Sequence, residues 1–383
     1  MKPMVKTIFK WALMRLLVGL LISFCAHNAP AKETILTVAA DGSGQYKTVQ
    51  DAVMAVPAGS PDNPVIIKIR PGTYKELIYV QHEKRFFRLV GEVPEKTILT
   101  YDLYAAMVGP DGKPIGTFRT PSTYIGADDF TVENITFENT AGVRKQAGQA
   151  LAIRVDGDRV VFRNCRFLGW QDTILIDRGR QYFENCYITG HVDFIFGGAT
   201  AFFEKCHIHI RGNGYITAAS TPDNHPFGFV FSHCRITAET EELKTYLGRP
   251  WRAYSAVTFL NTEMSAVVRD RGWHNWDFPD REKTSRYAEF NSTGPGANPA
   301  ARVKWAHQLT KKEAKNITVK KVLGGVDGWD PTIPKNGFPQ RRKVAKATGL
   351  RLGCHFKSLA TLHRKLTGVR YVELCRASRT IST

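Results

Sequence analysis

The two ends of this 383-residue chain contain almost no acidic residues. Residues 1–31 hold four lysine or arginine residues and no acid, whereas residues 334–383 hold twelve and a single acid, Glu373. These two segments account for most of the net charge of +18, so residues 32–333 are nearly balanced in charge. The overall charge is therefore weak support for a nucleic-acid-binding protein, and we expect no nucleic-acid partner.

A hydrophobic run long enough to span a membrane is also missing from the N-terminus. The apolar stretch over residues 11–25 contains Arg15 and is shorter than the roughly 20 residues that a spanning helix needs. It follows a basic start and precedes Ala29–Ala31, whose small residues suit signal-peptide cleavage. We predict that residues 1–31 are a signal peptide and that the protein is secreted, extracellular or periplasmic, without stable membrane insertion after cleavage. A membrane anchor is the alternative interpretation.

Residues 334–383 differ in composition from the chain before them. They combine little hydrophobic periodicity with almost no acid, so we predict a basic tail without a stable fold. Anchoring to an anionic polymer is the alternative function of such a charge run. The folded domain is then expected over residues 32–333.

The sequence has no Cys-x-x-Cys pair and no histidine cluster, so no pattern predicts a metal site. Four of the seven cysteines instead recur in a short phrase, Phe-x-x-Cys-x-Phe or Phe-x-x-Cys-x-Ile. The phrase occurs at Phe162–Phe167, Phe183–Ile188, Phe203–Ile208 and Phe231–Ile236. The cysteines are 21, 20 and 28 residues apart. A repeat of just over twenty residues is typical of a solenoid.

The phrases alternate apolar and polar residues and are punctuated by Gly, Asn and Asp, which indicates short strands. Leucine-rich repeats of similar period would need a leucine lattice and a helical segment in each unit, and neither is visible. We therefore predict an all-β fold, a right-handed parallel β-helix. Thr48–Asp51 resembles a capping box, so a short helix from Val49 to about Val56 is expected to cap the N-terminal end.

Residues one repeat apart lie in register on neighbouring strands about 4.8 Å apart. The cysteines are then expected to form an inward-facing column of small buried side chains. A disulfide between Cys186 and Cys206 remains open at this point, because an exported protein can form one if the side chains are suitably oriented.

The same register places two aspartates side by side. Asp172 lies seven residues after Cys165, and Asp193 lies seven residues after Cys186. Two carboxylates this close cannot both ionise readily, which separates an acid from a nucleophile or base. Gln149 and Gln171 are 22 residues apart and are expected to stack beside them as oxyanion donors.

Aspartate and glutamine at repeat positions can also satisfy turn backbones, so this pattern alone leaves a structural role open. Two neighbouring features favour catalysis. Asp193 lies in the otherwise apolar strand Asp193–Gly197, where a charge needs a partner. Leu247–Trp251 supplies a cation, Arg249, and an aromatic ring on a later turn.

At these residues the chain resembles the pectin methylesterase (pectinesterase) family, carbohydrate esterases built on a right-handed parallel β-helix. Five motifs stand in the family's order: Gly72–Glu76, Gln149–Ala152, Gly169–Thr173, Asp193–Gly197 and Leu247–Trp251. A further element, Gly272–His274, follows them. The resemblance covers roughly residues 34–330 and implies a secreted hydrolase that converts methyl-esterified homogalacturonan (pectin) to pectate and methanol.

The resemblance also implies roles for individual residues. Asp193 matches the nucleophile that attacks the ester carbonyl, and Asp172 matches the acid that protonates departing methanol and then activates water. Gln171 would hold the oxyanion with help from Gln149. Arg249 would keep Asp193 ionised and oriented. No cofactor or metal is implied, and nothing in the sequence indicates an oligomer, so a monomer is expected.

Four further residues are expected to bind substrate. Trp251 and Thr117 match family residues that contact the sugar chain. Phe196 and Trp273 are predicted to line the same groove, with ordinary packing as an equal alternative. His191 departs from the family, which commonly has Thr there.

Two other functions are compatible with a β-helix. A polyuronate lyase would need a calcium-binding acidic cluster and a base, for which Arg249 is a candidate, but the two aspartates would have no part in it. A non-catalytic polysaccharide-binding solenoid would need the aspartates only for stability.

Overall fold

The computed structural model describes residues 33–142 and 148–333. The predicted signal peptide and the predicted basic tail lie outside the described residues, and both stay predictions. No described helix is long and apolar enough to cross a membrane.

Within the described residues, all ladders between strands are parallel, and the strands form three faces that wind around one interior. Eleven strands build face one. They are β1 (Thr34–Val38), β2 (Val65–Ile69), β5 (Phe87–Gly91), β8 (Thr131–Glu133), β11 (Val160–Arg163), β14 (Arg180–Glu184), β16 (Thr200–Glu204), β18 (Phe229–Ser232), β21 (Ala256–Leu260), β23 (Arg286–Phe290) and β24 (His307–Gln308).

Two long strands, β15 (Tyr187–Gly197) and β17 (His207–Ala219), bend so that each contributes to both other faces. Face two also contains β3 (Gly72–Lys75), β6 (Thr97–Tyr101), β9 (Thr136–Asn139), β12 (Arg166–Leu168), β19 (Arg235–Ala238) and β22 (Glu263–Met264). Face three also contains β4 (Ile78–Val80), β7 (Thr123–Ile125), β10 (Ile153–Val155), β13 (Ile174–Ile176) and β20 (Thr245–Gly248). The predicted parallel β-helix is confirmed.

The repeated phenylalanines stack in a column inside the solenoid. Phe162 and Phe183 have ring centroids 4.8 Å apart, and the rings of Phe183 and Phe203 are 4.5 Å apart. Phe231 and Phe259 continue the column at the same 4.5 Å spacing. Because each ring is fully buried, the column contributes both hydrophobic burial and ring stacking to the stability of successive coils.

The four repeated cysteines form the expected inward column, and all of them are free and buried. The predicted option of a bridge between Cys186 and Cys206 is therefore not realised in this structure. The thiols donate instead to main-chain carbonyls, as Cys186 does to the carbonyl of Phe162 at 3.7 Å.

Before each cysteine the chain turns a corner through a left-handed residue. Asparagines occupy this corner in several coils, with φ of 51° at Asn164 and 54° at Asn185. Lys205 and His233 occupy it in others, with φ of 55° and 51°. Asparagine tolerates the left-handed region better than most residues, which explains the Asn in the repeated phrase.

Helix α1 (Val49–Met54) covers the first coil, as predicted, although it ends two residues earlier than expected. The Thr48 hydroxyl accepts the amide of Asp51 at 3.1 Å. The Glu76 carboxylate accepts the amides of Val49 and Gln50 at 2.8 and 2.9 Å, which explains the glutamate that ends the first family motif. The buried side of α1 joins the main core.

The C-terminal part of the described chain packs on the outside of face one. Helix α2 (Arg281–Thr284) precedes β23 and contacts Pro250 and Ala253 instead, whereas this C-terminal part contains α3 (Lys311–Ala314) and α4 (Val319–Leu323). Leu323 and Trp329 pack with outward apolar residues of face one, such as Tyr182. Arg180 pairs with Asp327 at 2.6 Å, so the segment is held by charge as well as by apolar contact.

Candidate active site

The two predicted aspartates lie at the bend between face two and face three. Asp172 directly precedes the turn into β13, and Asp193 lies inside β15 where its register shifts. The Asp172 amide donates to the carbonyl of Val192 at 3.0 Å, so the two aspartates are on neighbouring coils. Both have left-handed backbones, with φ of 61° and 52°, and are only 7% and 6% exposed. Stacked left-handed residues of this kind are strained and are typical of functional sites.

Arg249 holds the carboxylate of Asp193 in a two-point contact. Its Nε donates to one carboxylate oxygen at 2.9 Å and its Nη2 to the other at 2.7 Å. The guanidinium is itself stacked between two aromatic rings, 3.9 Å from the centroid of Tyr215 and 3.7 Å from that of Trp276. Bidentate pairing and ring stacking together fix the arginine, which in turn fixes the orientation of Asp193.

The sequence reasoning missed Tyr215 and Trp276. Tyr215 could have been found from the repeat, because it is the register partner of Val192, next to Asp193. Trp276 follows Gly272–His274 but lies in an irregular segment, where no repeat sets the register.

The environment separates the two carboxyl groups chemically. Burial, with the neighbouring Asp193, raises the pKa of Asp172 well above its usual range, and Arg249 opposes this only partly. Burial also raises the pKa of Asp193, but the hydrogen bonds and charge of Arg249 act against that rise. The carboxyl group of Asp172 is therefore expected to hold its proton to higher pH than that of Asp193.

The two predicted glutamines lie on adjoining coils beside this pair. The Ala150 amide, next to Gln149, donates to the carbonyl of Gln171 at 3.2 Å. Both glutamine residues are half-buried and therefore accessible from solvent. Gln171 directly precedes Asp172 in the chain, and its role as an oxyanion donor stays a prediction.

The aromatic groove expected beside the same point is formed by Trp251 and Phe118, since Phe196 is only 4% exposed and packs in a buried cluster with Leu151 and Leu175. Trp251 packs against Phe196 at 5.8 Å between centroids and against Phe118 at 6.4 Å. Thr117 begins the short 3₁₀ turn that carries Phe118, whose side chain is 49% exposed. Phe118 is a further aromatic residue that the sequence reasoning missed, although it directly follows Thr117.

The prediction that Trp273 lines the groove is wrong. Trp273 is only 1% exposed and packs in the core, with its ring centroid 4.3 Å from that of Tyr287. Its indole N–H donates to the Glu289 carboxylate at 3.1 Å, and Glu289 is paired with the buried Arg302 at 2.9 Å. This ion pair gives a polar partner to an indole that would otherwise be buried without one. Trp276, three residues later, is the tryptophan at the site.

His191, which departs from the family pattern, lies at the edge of this centre. Its ring is 5.7 Å from that of Trp170, in an edge-to-face arrangement. Burial lowers the pKa of His191, so the side chain is neutral at neutral pH.

Fold and site together define a parallel β-helix enzyme with an aspartate pair, one member clamped by arginine, beside an aromatic groove.

Comparison with known proteins is consistent with this class. The sequence matches the pectinesterase family over residues 35–326. It is 42% identical to Pectinesterase 31 of Arabidopsis thaliana over 289 residues, which cover 74% of this chain and 90% of that protein.

Two solved structures are also similar. Pectin methylesterase from carrot superposes with a TM-score of 0.70 at 36% identity, covering 76% of this chain and 93% of the carrot chain. A pectin methylesterase mutant in complex with a hexasaccharide gives a TM-score of 0.68 at 30% identity, covering 78% of this chain and 98% of the other.

The chain therefore belongs to the pectinesterase family. The predicted assignment as a carboxylic-ester hydrolase of pectin is confirmed at the level of the family. The roles of the individual site residues stay predictions.

Proposed function

We propose that this pectinesterase removes methyl esters from homogalacturonan with Asp193 as nucleophile and Asp172 as acid and base. The Asp193 carboxylate attacks the ester carbonyl carbon and forms a tetrahedral oxyanion, which accepts hydrogen bonds from Gln171 and Gln149. When the oxyanion collapses, the bond to the methoxy oxygen breaks and Asp172 donates its proton, so that methanol leaves.

The second half of the reaction restores the enzyme. The acyl group is then held as an anhydride on Asp193, and Asp172 is ionised. Asp172 accepts a proton from water as the water oxygen attacks the acyl carbon, and the bond to Asp193 breaks. Galacturonic acid is released, Asp193 is again a carboxylate and Asp172 is again protonated.

One observation carries this assignment: Arg249 contacts both oxygens of Asp193, and no such contact of Asp172 with a cation is present among the described residues. The arginine favours the charged form of one carboxyl group and leaves the other to be governed by burial. The exposed ring of Phe118 and the half-buried ring of Trp251 support binding of a polysaccharide, because aromatic faces pack on sugar rings.

The test is methanol release from highly methylated homogalacturonan by the full chain, with a calcium chelator present. Asp193→Ala is expected to lower kcat by at least roughly 10⁴, since loss of a nucleophile removes the covalent route. Asp62→Ala, which changes an exposed loop aspartate, is the matched control and is expected to retain full activity.

Retained methanol release in Asp193→Ala would refute the assignment. Bound polymer without methanol in the unaltered protein would favour a binding solenoid. Ultraviolet-absorbing products that form once calcium is restored would favour a lyase.

We also propose that the enzyme acts outside the cytoplasm as a monomer. The basic start and apolar stretch of residues 1–31 support export, and pectin as substrate is consistent with it. No cofactor is assigned to the reaction proposed here.

A further inference from the structure

Face two carries a second group of chemically distinctive side chains on its outer side. Side chains alternate in direction along each strand. Ile188 and Ile208 point inward and are fully buried, so their neighbours along the strands point outward. We define the basic-aromatic surface by six of the outward residues. They are Arg166, Tyr187, His207, His209, Arg211 and Arg235. Arg166, Tyr187, His207 and Arg235 occupy the same position on four successive strands.

A chain of hydrogen bonds fixes the two histidine rings. The Arg235 Nη2 donates to His207 Nδ1 at 3.2 Å, so that nitrogen is the acceptor of a neutral ring and Nε2 carries the proton. The Nε2–H of His207 then donates to Thr237 Oγ1 at 2.7 Å, and the same hydroxyl is hydrogen-bonded to His209 Nδ1 at 2.8 Å. Burial and the nearby Arg235 lower the pKa of His207 to about 4, which keeps this arrangement in place at neutral pH.

Two of the arginines have no carboxylate partner. No ion pair of Arg166 or Arg235 occurs among the residues that the structure describes. Arg166 lies over the ring of Tyr187 at 5.4 Å, beside a pocket of about 280 Å³ that Asn164, Asn185 and the acid Glu95 also line. The pocket therefore offers amide donors and a guanidinium next to an aromatic face.

Arg211 connects this surface to the catalytic residues. Its guanidinium lies 4.0 Å from the ring centroid of Trp170, which directly precedes Gln171. Its acidic neighbour, Glu239, is exposed and lies 3.6 Å away, a loose surface contact. The basic-aromatic surface therefore begins beside Trp170, the residue next to Gln171 in the chain. A polymer bound at the catalytic residues could extend from there onto face two.

We propose that the basic-aromatic surface binds de-esterified homogalacturonan, the product of the reaction. This inference rests on the proposed function, because that function generates the ligand beside the surface. The surface presents guanidinium groups as donors, with the rings of Tyr187, His207 and His209 between them. A polyuronate supplies the complement, since each unit has a carboxylate, hydroxyl acceptors and a ring face. A methyl ester lacks the negative charge, so product is favoured over substrate.

The test compares two double variants of the full chain, and the probe is fully de-esterified decagalacturonate. Arg166→Gln/Arg235→Gln removes two charges from the surface. Lys68→Gln/Lys320→Gln removes two charges from exposed positions elsewhere. Isothermal titration calorimetry is expected to show an increase in Kd of roughly tenfold for the arginine variant and less than twofold for the lysine control.

Methanol release from methyl-esterified trigalacturonate is measured on the same proteins. Arg166 and Arg235 make no contact with the catalytic pair among the described residues, so kcat and KM for this short substrate are expected to agree within twofold among the three proteins. Equal Kd values for all three, or equal weakening in both double variants, would overturn the proposed surface. A failure of the proposed function would appear separately, as absence of methanol from the unaltered protein.

Discussion

The phenylalanine column inside the solenoid and the aspartate pair on its outer side are produced by the same register, but their energetics are opposite. Rings 4.5 Å apart, such as those of Phe183 and Phe203, bury apolar surface and stack favourably. The carboxyl groups of Asp172 and Asp193 are buried beside one another, and the pKa of both is raised. A solenoid therefore stacks any side chains that its repeat places in register, whether their contact stabilises the fold or destabilises it.

Under the proposed function, the buried aspartate pair serves catalysis and lowers the free energy of unfolding. Arg249 relieves one member of the pair, and nothing equivalent relieves Asp172. Stability and activity are then expected to respond in opposite directions at the pair, and activity is expected to be insensitive to the distant part of the phenylalanine column.

Replacement of Asp172 gives the largest expected effect after the loss of Asp193. Asp172→Asn removes the proton donor and is expected to lower kcat by about 10³, measured as methanol release. Because the folded pKa of Asp172 is raised, the stability that it contributes is present below its unfolded pKa and is lost as pH rises through the folded pKa. Asp172→Asn should therefore raise the free energy of unfolding at pH 7.

The gain in stability should shrink as the pH is lowered toward 3.5, where Asp172 is protonated in both states. Urea unfolding at the two pH values measures this, with Asp62→Asn as the control. A destabilised Asp172→Asn protein at pH 7 would contradict the proposed cost of the pair.

Truncation in the phenylalanine column tests the other side of the comparison. Phe203→Ala leaves a cavity between two stacked rings and is expected to lower the free energy of unfolding by roughly 3–5 kcal/mol. The kcat of the protein that remains folded is expected to stay within twofold of the unaltered value. Chemical denaturation and methanol release measure the two quantities, and a large loss of kcat without loss of stability would break the comparison.

Removal of an oxyanion donor should affect activity alone. Gln171→Ala is expected to lower kcat by roughly 10²–10³, because a hydrogen bond that strengthens in the transition state is lost. The thermal midpoint should change little, since the side chain is half-buried. Gln50→Ala, at a glutamine remote from the site, is the matched control for activity. An unchanged kcat would exclude Gln171 from the proposed mechanism.

The smallest expected effect lies at the corners between strands. Lys205 has φ of 55° at a position where other coils place asparagine. Lys205→Asn is expected to raise the free energy of unfolding by about 1 kcal/mol, because asparagine is less strained there. Lys68→Asn, in strand β2, should instead be neutral or destabilising. If both variants behave alike, backbone strain is not the cause.

The repeat made most of the fold predictable from sequence. Cysteine spacing alone placed Asp172 beside Asp193, because in a parallel solenoid one period along the chain is one strand across the sheet. The short capping helix was also predictable, since Thr48 and Asp51 are local signals. Function came from the family resemblance rather than from spacing.

The sequence could not locate residues that reach the site from irregular segments. Trp273 was predicted to line the groove because it lies in the family element Gly272–His274. Its burial depends on Glu289 and Arg302, which no local sequence pattern connects to it. The stacking of Trp276 on Arg249 is equally non-local. Such contacts are set by tertiary packing, which hydrophobic periodicity does not encode.

Helix α1 and the residues before it bear on the open edge at the first coil of the solenoid. The first strand of a parallel stack has unpaired amides and carbonyls on its outer edge. A further strand can pair with such groups, as happens in amyloid growth. Here Thr37 in β1 donates its amide to the Gln45 side chain and accepts the amide of Tyr46, directly before the helix. These contacts, together with helix α1, leave fewer backbone groups of the first coil free to pair with a strand of another molecule.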